Sequence, residues 1–310
     1  MTINQKHYAE TELIFKLWFI IFIVVLFDIF FEILFGQNTL GFVSNMPGRV
    51  ASFFGKELVV GAYLHGFVLF FLSYIVSKKY NNYLIIFLVV GIIIVSFLVG
   101  ERSNFIKLLI SIILFSTIAI NISYKKKITF FLIALISILS ILTFNDNYKL
   151  RYYDQIKILF TENGFSKYMT QSQYGSHQNA AIKIFKEHPF FGVGVKNFRS
   201  ESINDEYENK EYESTDTRQA PHPHQIHHEF LSETGIFGYL SFCTFIILSL
   251  WLAIKNYFKN KNIYQLAAII FITSSLLPYL PSGSFLSTFN SSFFWINYAI
   301  MMSYIKKSKF

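Results

Sequence analysis

The sequence predicts an all-α fold, a polytopic bundle of transmembrane helices with one large loop outside the bilayer. Three observations lead there. Of 310 residues, 53% are hydrophobic, 37 are Phe and only 15% are charged, a balance too apolar for a soluble domain of this size. The apolar residues gather in eight runs that match, or nearly match, the length needed to cross a hydrocarbon core of roughly 30 Å. The basic residues lie between those runs and form no soluble basic face, so the net charge of +8 does not point to nucleic acid.

The runs extend approximately from Leu13 to Phe35, Leu58 to Ser77, Tyr83 to Val99, Phe105 to Ser123, Ile128 to Phe144, Gly235 to Ile254, Tyr264 to Leu280 and Phe285 to Tyr304. They divide the chain into residues 1–144 with about five spans, a loop of residues 145–234, and residues 235–310 with about three spans. The first run carries Asp28 and Glu32 and no small-residue cleavage site follows it, so it reads as a retained span and not as a signal peptide. With a cytoplasmic N-terminus, alternate connections put Lys6, Lys16, Lys78, Lys79, Lys125, Lys126, Lys127, Lys255, Lys259, Lys261, Lys306, Lys307 and Lys309 on the cytoplasmic face. Only Arg49, Lys56, Arg102 and Lys107 fall to the short connections and span ends of the other. That asymmetry is the positive-inside pattern, and it makes both termini cytoplasmic and the long loop external. The single cysteine, Cys243, lies in an apolar run, which excludes an intrachain disulfide and a CxxC site.

The loop carries most of the 19 acidic residues and, in His222, His224, His227 and His228, half of the chain's eight histidines. A loop of this length is seldom idle. Asn179 to His188 reads as a short amphipathic helix presenting Ala181, Ile184 and Phe185, ended by Pro189. Glu201 to Asp216 is acidic and short of apolar anchors, the composition of a mobile segment.

Three places on the external face carry residues suited to chemistry. The first is Gly100-Glu101-Arg102-Ser103-Asn104, where a permanently charged guanidinium can fork onto phosphate oxygens or simply anchor the chain at the interface. The second runs from Glu187 to Arg199 and contains Gly192-Val193-Gly194 followed by Lys196 and Arg199. Its glycines allow a tight path that exposes backbone amides, although a plain turn explains them too. The third is Pro221-His222-Pro223-His224-Gln225-Ile226-His227-His228-Glu229, continuing to Glu233 and Gly235. A helix starting near His224 would put that imidazole at the positive end of the helix dipole and keep it neutral, as a general base requires. On such a helix His224 and His228 share a face, so a metal site is the competing reading, and incidental surface histidines are a third.

With those residues in place, the chain resembles the superfamily of O-antigen ligases and O-antigen polymerases, which includes protein O-oligosaccharyltransferases. The family's membrane-edge Gly-x-Arg-Ser pattern matches Gly100 to Ser103. Its pattern of a helix, Pro, two bulky residues, Gly-x-Gly and Asn-Phe matches Ala180 to Phe198. Its His-Pro-His-Asn-x-x-Leu-Gln-x-x-x-Glu-x-Gly pattern aligns without a gap to His222–Gly235, with Gln225, His228 and Glu229 departing from the usual Asn, Leu and Gln. The early stretch Gly48 to Phe54 is similar as well. The spans are fewer than the family's usual dozen or so, the shortage lying at the N-terminus, as in a short member or a start internal to a longer reading frame.

The resemblance implies a GT-C-like fold and a metal-independent, inverting glycosyltransferase of lipopolysaccharide biosynthesis in the bacterial inner membrane. It implies no cofactor and no nucleotide sugar. The donor is a glycan on undecaprenyl pyrophosphate and the acceptor lipid A-core or a similar lipid or glycan. By resemblance His224 is the catalytic base, Arg102, Arg199, Lys196 and Arg49 bind pyrophosphate, His222 and Glu233 support them, and no residue ligates a metal. The ligase reading rests on Gly41 to Leu64 and the Gly-Val-Gly-x-x-Asn-Phe-Arg element. The alternatives are a polysaccharide polymerase of the same superfamily and, from another class, a transporter of lipid-linked oligosaccharides, which would place functional charges within the spans.

The orientation is testable by cysteine accessibility in a background lacking Cys243. A cysteine replacing the loop residue Ser200 should label from outside the cell and one replacing Ser123 should not; the opposite pattern inverts the topology.

Overall fold

The computed structural model describes residues 3–154, 156–207 and 220–305. Helices of eight or more residues are numbered in chain order. Five precede the long loop: α1 Ile3–Phe35, α2 Val60–Ser77, α3 Asn82–Leu98, α4 Arg102–Ala119 and α5 Tyr124–Phe144. Two lie within it, α6 Gly164–Gln171 and α7 Gln173–Glu187, and three follow, α8 Ile226–Asn260, α9 Ile263–Ser275 and α10 Thr288–Ser303. Every apolar run carries a helix, and the described residues include no strand. α1, α2, α4, α5 and α8 are long and apolar enough to cross a membrane, and α3 and α9 are shorter apolar helices. The protein is therefore an all-α polytopic membrane protein.

Several boundaries differ from the sequence reading for identifiable reasons. The fifth run, read as the shortest, is a helix of 21 residues because Lys125, Lys126 and Lys127 extend it with good helix formers. The seventh, read to Leu280, ends at Ser275. Pro278 and Pro281 lie just beyond and supply no N–H for a continuing helix, so residues 276–287 form an irregular connection.

The chain forms two compact units, one of Met1–Tyr152, Ala253–Ser275 and Ile296–Phe310, the other of Tyr153–Leu252 and Leu276–Trp295. In the first, α2 packs against α1, α4 and α9. Lipid gives apolar side chains little reason to prefer each other, so close packing and interhelical hydrogen bonds must hold such helices together. Both are present. Phe15 and Phe70, Trp18 and Phe67, and Phe19 and Phe71 bring their ring centroids within 5.5, 5.2 and 5.1 Å along the α1–α2 seam. Buried Ser274 of α9 joins His65 of α2 at 2.9 Å and Ser111 of α4 at 2.8 Å.

The acidic residues of α1 have a structural use. Asp28 accepts hydrogen bonds from the Thr39 N–H at 2.8 Å and the Ser52 hydroxyl at 2.7 Å. Glu32 accepts from the N–H groups of Ala51 and Ser52 at 2.8 and 2.6 Å. The two carboxylates thus satisfy an irregular α1–α2 connection whose backbone donors would otherwise be unpaired where water is scarce.

That connection meets the start of α4. Gly100 has φ +79, and a Cβ there would overlap the Gly48 carbonyl oxygen. Glu101 next to it accepts from the Gly61 N–H at 2.8 Å and pairs with Arg49 at 3.1 Å. Gly100→Ala combines a strained left-handed φ with a backbone clash and should cost on the order of 3 kcal/mol. A folded yield and thermal midpoint in detergent equal to those of the unaltered protein would contradict this account of the membrane edge.

Candidate functional site

The second unit holds the histidines, and its construction starts from α7. Ser172 caps that helix by accepting the Gly175 N–H at 3.1 Å, so α7 begins at Gln173, six residues before the Asn179 start that the sequence suggested. Ala180, Ala181 and Ile184 of α7 form a core with Phe198, Tyr207 and Ala220, flanked by Val193; Phe185 stays half-buried. Tyr207 supplies an anchor within Glu201 to Asp216, a stretch whose composition promised few. It is 2% exposed, and its hydroxyl donates to Glu187 at 2.5 Å and lies 3.2 Å from Glu201. Residues 208–216 of that acidic segment lie outside the described residues.

From Pro189 the chain lies against α8 at its break. Gly235 has φ 64 and ψ −171 within α8, and a Cβ there would overlap the backbone of Phe190 and Phe191, as one at Gly192 would overlap Glu233. The freed backbone groups are used: Val193 and Gly194 N–H donate to the carbonyls of Ser232 and Glu233 at 3.0 and 2.9 Å, and Ile236 N–H donates to the Pro189 carbonyl at 2.8 Å. The buried Glu233 carboxylate accepts from the N–H groups of Lys196 at 2.6 Å and Phe198 at 3.3 Å. Glycines and acid together fix the loop that carries Lys196 and Arg199, both of which are exposed.

His224 is not on the helix. It has φ 54, and α8 starts at Ile226, so the helix begins near His224 as the sequence suggests, with the imidazole just outside it. Gln225 is the cap: its side-chain oxygen accepts the His228 N–H at 2.8 Å, and its carbonyl accepts the Glu229 N–H at 2.9 Å. Gln therefore does here what a capping Asn would do. With His224 outside α8, it does not share a helix face with His228. Among the described residues no three His, Cys, Asp or Glu side chains are grouped to hold a metal ion.

Instead, His224 sits in a collar of rings. Its centroid lies 4.0 Å from His222, 5.2 Å from His177 and 5.0 Å from Tyr174, with His177 stacked at an interplanar angle of 26°. Tyr174 and His177 are three residues apart on α7 and so share one face. The irregular segment after α9 closes the other side: Ser282 N–H donates to the His224 carbonyl at 2.8 Å. Burial pushes the His224 imidazole down to about 3, helped by His222 and His177, with the Ser282 backbone pulling the other way. His222 is held down to about 4 by burial, again against Ser282. Both rings are neutral near pH 7, and desolvation, not a helix dipole, is the main cause.

The remaining polar groups position this segment. Nε2 of His227 donates to the Leu276 carbonyl at 2.9 Å, which leaves Nδ1 to accept from the Tyr239 hydroxyl at 3.0 Å. Glu229 accepts from the Ser284 hydroxyl and from the Phe285 N–H at 2.7 Å. Sequence reasoning missed Tyr174, His177 and Ser282. The Ser172 cap signal would have lengthened α7 to include the first two, and the Pro-Tyr-Leu-Pro-Ser-Gly run was a loop signal set inside an apolar stretch.

Of the other residues singled out, Arg102 opens α4 and Arg49 pairs with Glu101, both in the first unit. His222, His224, Lys196, Arg199 and Glu233 belong to the second.

A helical membrane protein with a long histidine-bearing loop connecting two of its spans is the class that these features define. A family model described as O-antigen ligase matches residues 87–243, half of the chain and all three motif regions from Gly100 to Gly235. The chain belongs to the O-antigen ligase family, and it is a membrane enzyme of the ligase or polymerase type. No curated protein sequence matches it.

The cap can be tested by graded substitution. Gln225→Ala should lower stability by about 1 kcal/mol and Gln225→Asn by much less, read from thermal unfolding in detergent. Equal loss in both would mean that Gln225 does not act as a cap.

Proposed function

We propose that the protein is an O-antigen ligase-type, metal-independent inverting glycosyltransferase. It moves a glycan from undecaprenyl pyrophosphate to lipid A-core or a similar acceptor at the periplasmic face of the bacterial inner membrane. The observation that carries the reading is the collar around His224, which keeps a buried imidazole neutral. An acceptor hydroxyl must lose its proton as it attacks the sugar, and only an unprotonated imidazole can take it. A pKa near 3 marks a weak base in the free protein. An anionic pyrophosphate arriving beside the imidazole favours its charged form and raises its basicity when the donor is in place.

The leaving pyrophosphate gathers negative charge as the bond to the sugar breaks. Arg102 and Arg199 are assigned to hold it by their fit to phosphate oxygens, with Lys196 and Arg49 as helpers. His222 and Glu233 support the site, the first within the ring collar and the second by holding the Lys196–Phe198 backbone. Attack opposite the leaving group inverts the anomeric centre. The lysine asymmetry of the sequence supports a periplasmic loop and cytoplasmic termini. The transporter alternative would need functional charges within the spans, where only Asp28, Glu32 and Lys107 qualify; the two acids are engaged by backbone and hydroxyl groups of the α1–α2 connection.

His224→Ala should reduce transfer at least about a hundredfold, the lower end for removing a positioned base, while the protein still folds. Near-normal transfer by the purified variant would end the assignment. Arg102→Lys keeps the charge but loses the fork and should also impair turnover; normal turnover would make Arg102 an interfacial anchor. In a deletion strain, loss of all long-chain lipopolysaccharide bands with accumulated lipid-linked polymer indicates a ligase, whereas a single-repeat band indicates a polymerase.

A further inference from the structure

In the second unit, three phenylalanine rings meet at the surface where the loop joins α8. Phe190 and Phe191 are 60% and 76% exposed, and Phe237, which touches both, is 54% exposed. The Phe237 ring centroid lies 6.0 Å from that of Phe190, with the rings 24° apart, and 5.6 Å from that of Phe191. Single exposed apolar side chains need no explanation, whereas rings gathered into one patch mark a surface that meets something apolar. Phenylalanine also lacks the polar tip by which Tyr or Trp would use water.

The backbone sets the depth of this patch. A Cβ at Gly235 would overlap the Phe190–Phe191 peptide, and the N–H groups of Ile236 and Phe237 donate to the carbonyls of Pro189 and Phe190 at 2.8 and 3.4 Å. The two loop rings are therefore fixed at Gly235, where the apolar run of α8 begins. Beyond it Phe237, Leu240, Phe245, Leu248 and Trp251 are all exposed, at spacings that keep them on one side of the helix. Because α8 is long and apolar enough to cross a membrane and is exposed along most of its length, that stripe faces lipid. Phe190 and Phe191 stand beside its first turn and widen it from the loop.

The charges around the rings fit the same boundary. From Lys186 to Arg199 the charged residues are Lys186, Glu187, Lys196 and Arg199. Glu187 accepts from the Tyr207 hydroxyl, and the three cations are exposed. Cations flanking an apolar insert suit a phospholipid surface, where chains take the rings and phosphates the charges.

We propose that Pro189–Phe191 is a membrane-insertion site within the loop. Phe190 and Phe191 enter the acyl-chain boundary of the leaflet in which α8 begins, beside Phe237, and the flanking cations stay among the headgroups. The partner is the phospholipid of the bilayer itself. Val193 and Gly194 bond directly to Ser232 and Glu233, so the inserted rings hold the loop at a set height over that leaflet. The proposal concerns bilayer lipid and not a glycan donor, so it does not rest on the transferase reading.

The test places a nitroxide on single cysteines of the full chain lacking Cys243, in nanodiscs of palmitoyl-oleoyl-phosphatidylcholine and palmitoyl-oleoyl-phosphatidylglycerol. Phe190→Cys and Phe191→Cys are compared with Ser200→Cys in the loop and Leu248→Cys in the span. Both phenylalanine positions are exposed, and each variant is measured only after its thermal midpoint matches that of the Cys243-free parent, so either one alone decides the matter. Labels at 190 and 191 should collide with lipid-soluble oxygen in preference to a water-soluble nickel complex, as at Leu248, with a several-fold loss of nickel collisions relative to Ser200. The depth read should be about 5–10 Å into the headgroup and acyl boundary. Nickel collisions at either position equal to those at Ser200 overturn the proposal. Protection from both reagents, with spin–spin broadening that disappears on dilution with unlabelled protein, also overturns it by assigning the patch to a second copy of the chain.

Discussion

Two backbones approach each other at Gly192 and Gly235 more closely than any side chain would permit, and the second unit is organised around that contact. The break at Gly235 frees N–H and carbonyl groups that bind Pro189, Phe190, Val193 and Gly194. It also presents Glu233 to the backbone of Lys196 and Phe198. Phe198 then packs on Ala180, Ala181 and Ile184 of α7, and α7 carries Tyr174 and His177 to the ring of His224. A glycine pair thus governs the surroundings of the His224 imidazole through a chain of contacts, each of which has a physical cause.

The same economy holds in the first unit. Charged groups within apolar surroundings would be expensive if left alone, and here Asp28 and Glu32 are used to satisfy an irregular stretch of backbone. Glu101 ties the start of α4 to Gly61 and Arg49. Such groups resemble transport-site residues when only their position in a span is known. Here their hydrogen-bond partners are backbone and hydroxyl groups of the neighbouring connection.

Much of the fold was legible in the sequence because bilayer thickness imposes its own period on the apolar residues, and each of the eight runs carries a helix. Less visible were the ends of apolar stretches: the runs read to Leu280 and from Phe285, whereas the helices end at Ser275, before Pro278 and Pro281, and resume at Thr288. The histidine cluster was also legible, although two of its details were not. His224 adopts a left-handed backbone just before the helix, which no periodicity reveals. The neighbour His177 comes from a helix whose start the sequence reading put six residues late. Residue patterns showed which groups matter; which rings surround His224 depended on long-range packing.

That packing is what the functional account rests on, so the most direct measurement is the pH dependence of kcat/KM for the glycan donor, which reports the free protein. An imidazole whose free-state pKa is pushed well below the ordinary 6.5 by burial stays unprotonated as pH falls, and the base form is lost only near that lowered value. The account predicts a rate that is flat from neutral pH to about pH 5, with the acid limb beyond it. An acid limb centred near about 6.5, the value of a solvated imidazole, would contradict a buried, neutral His224 as the group that takes the proton.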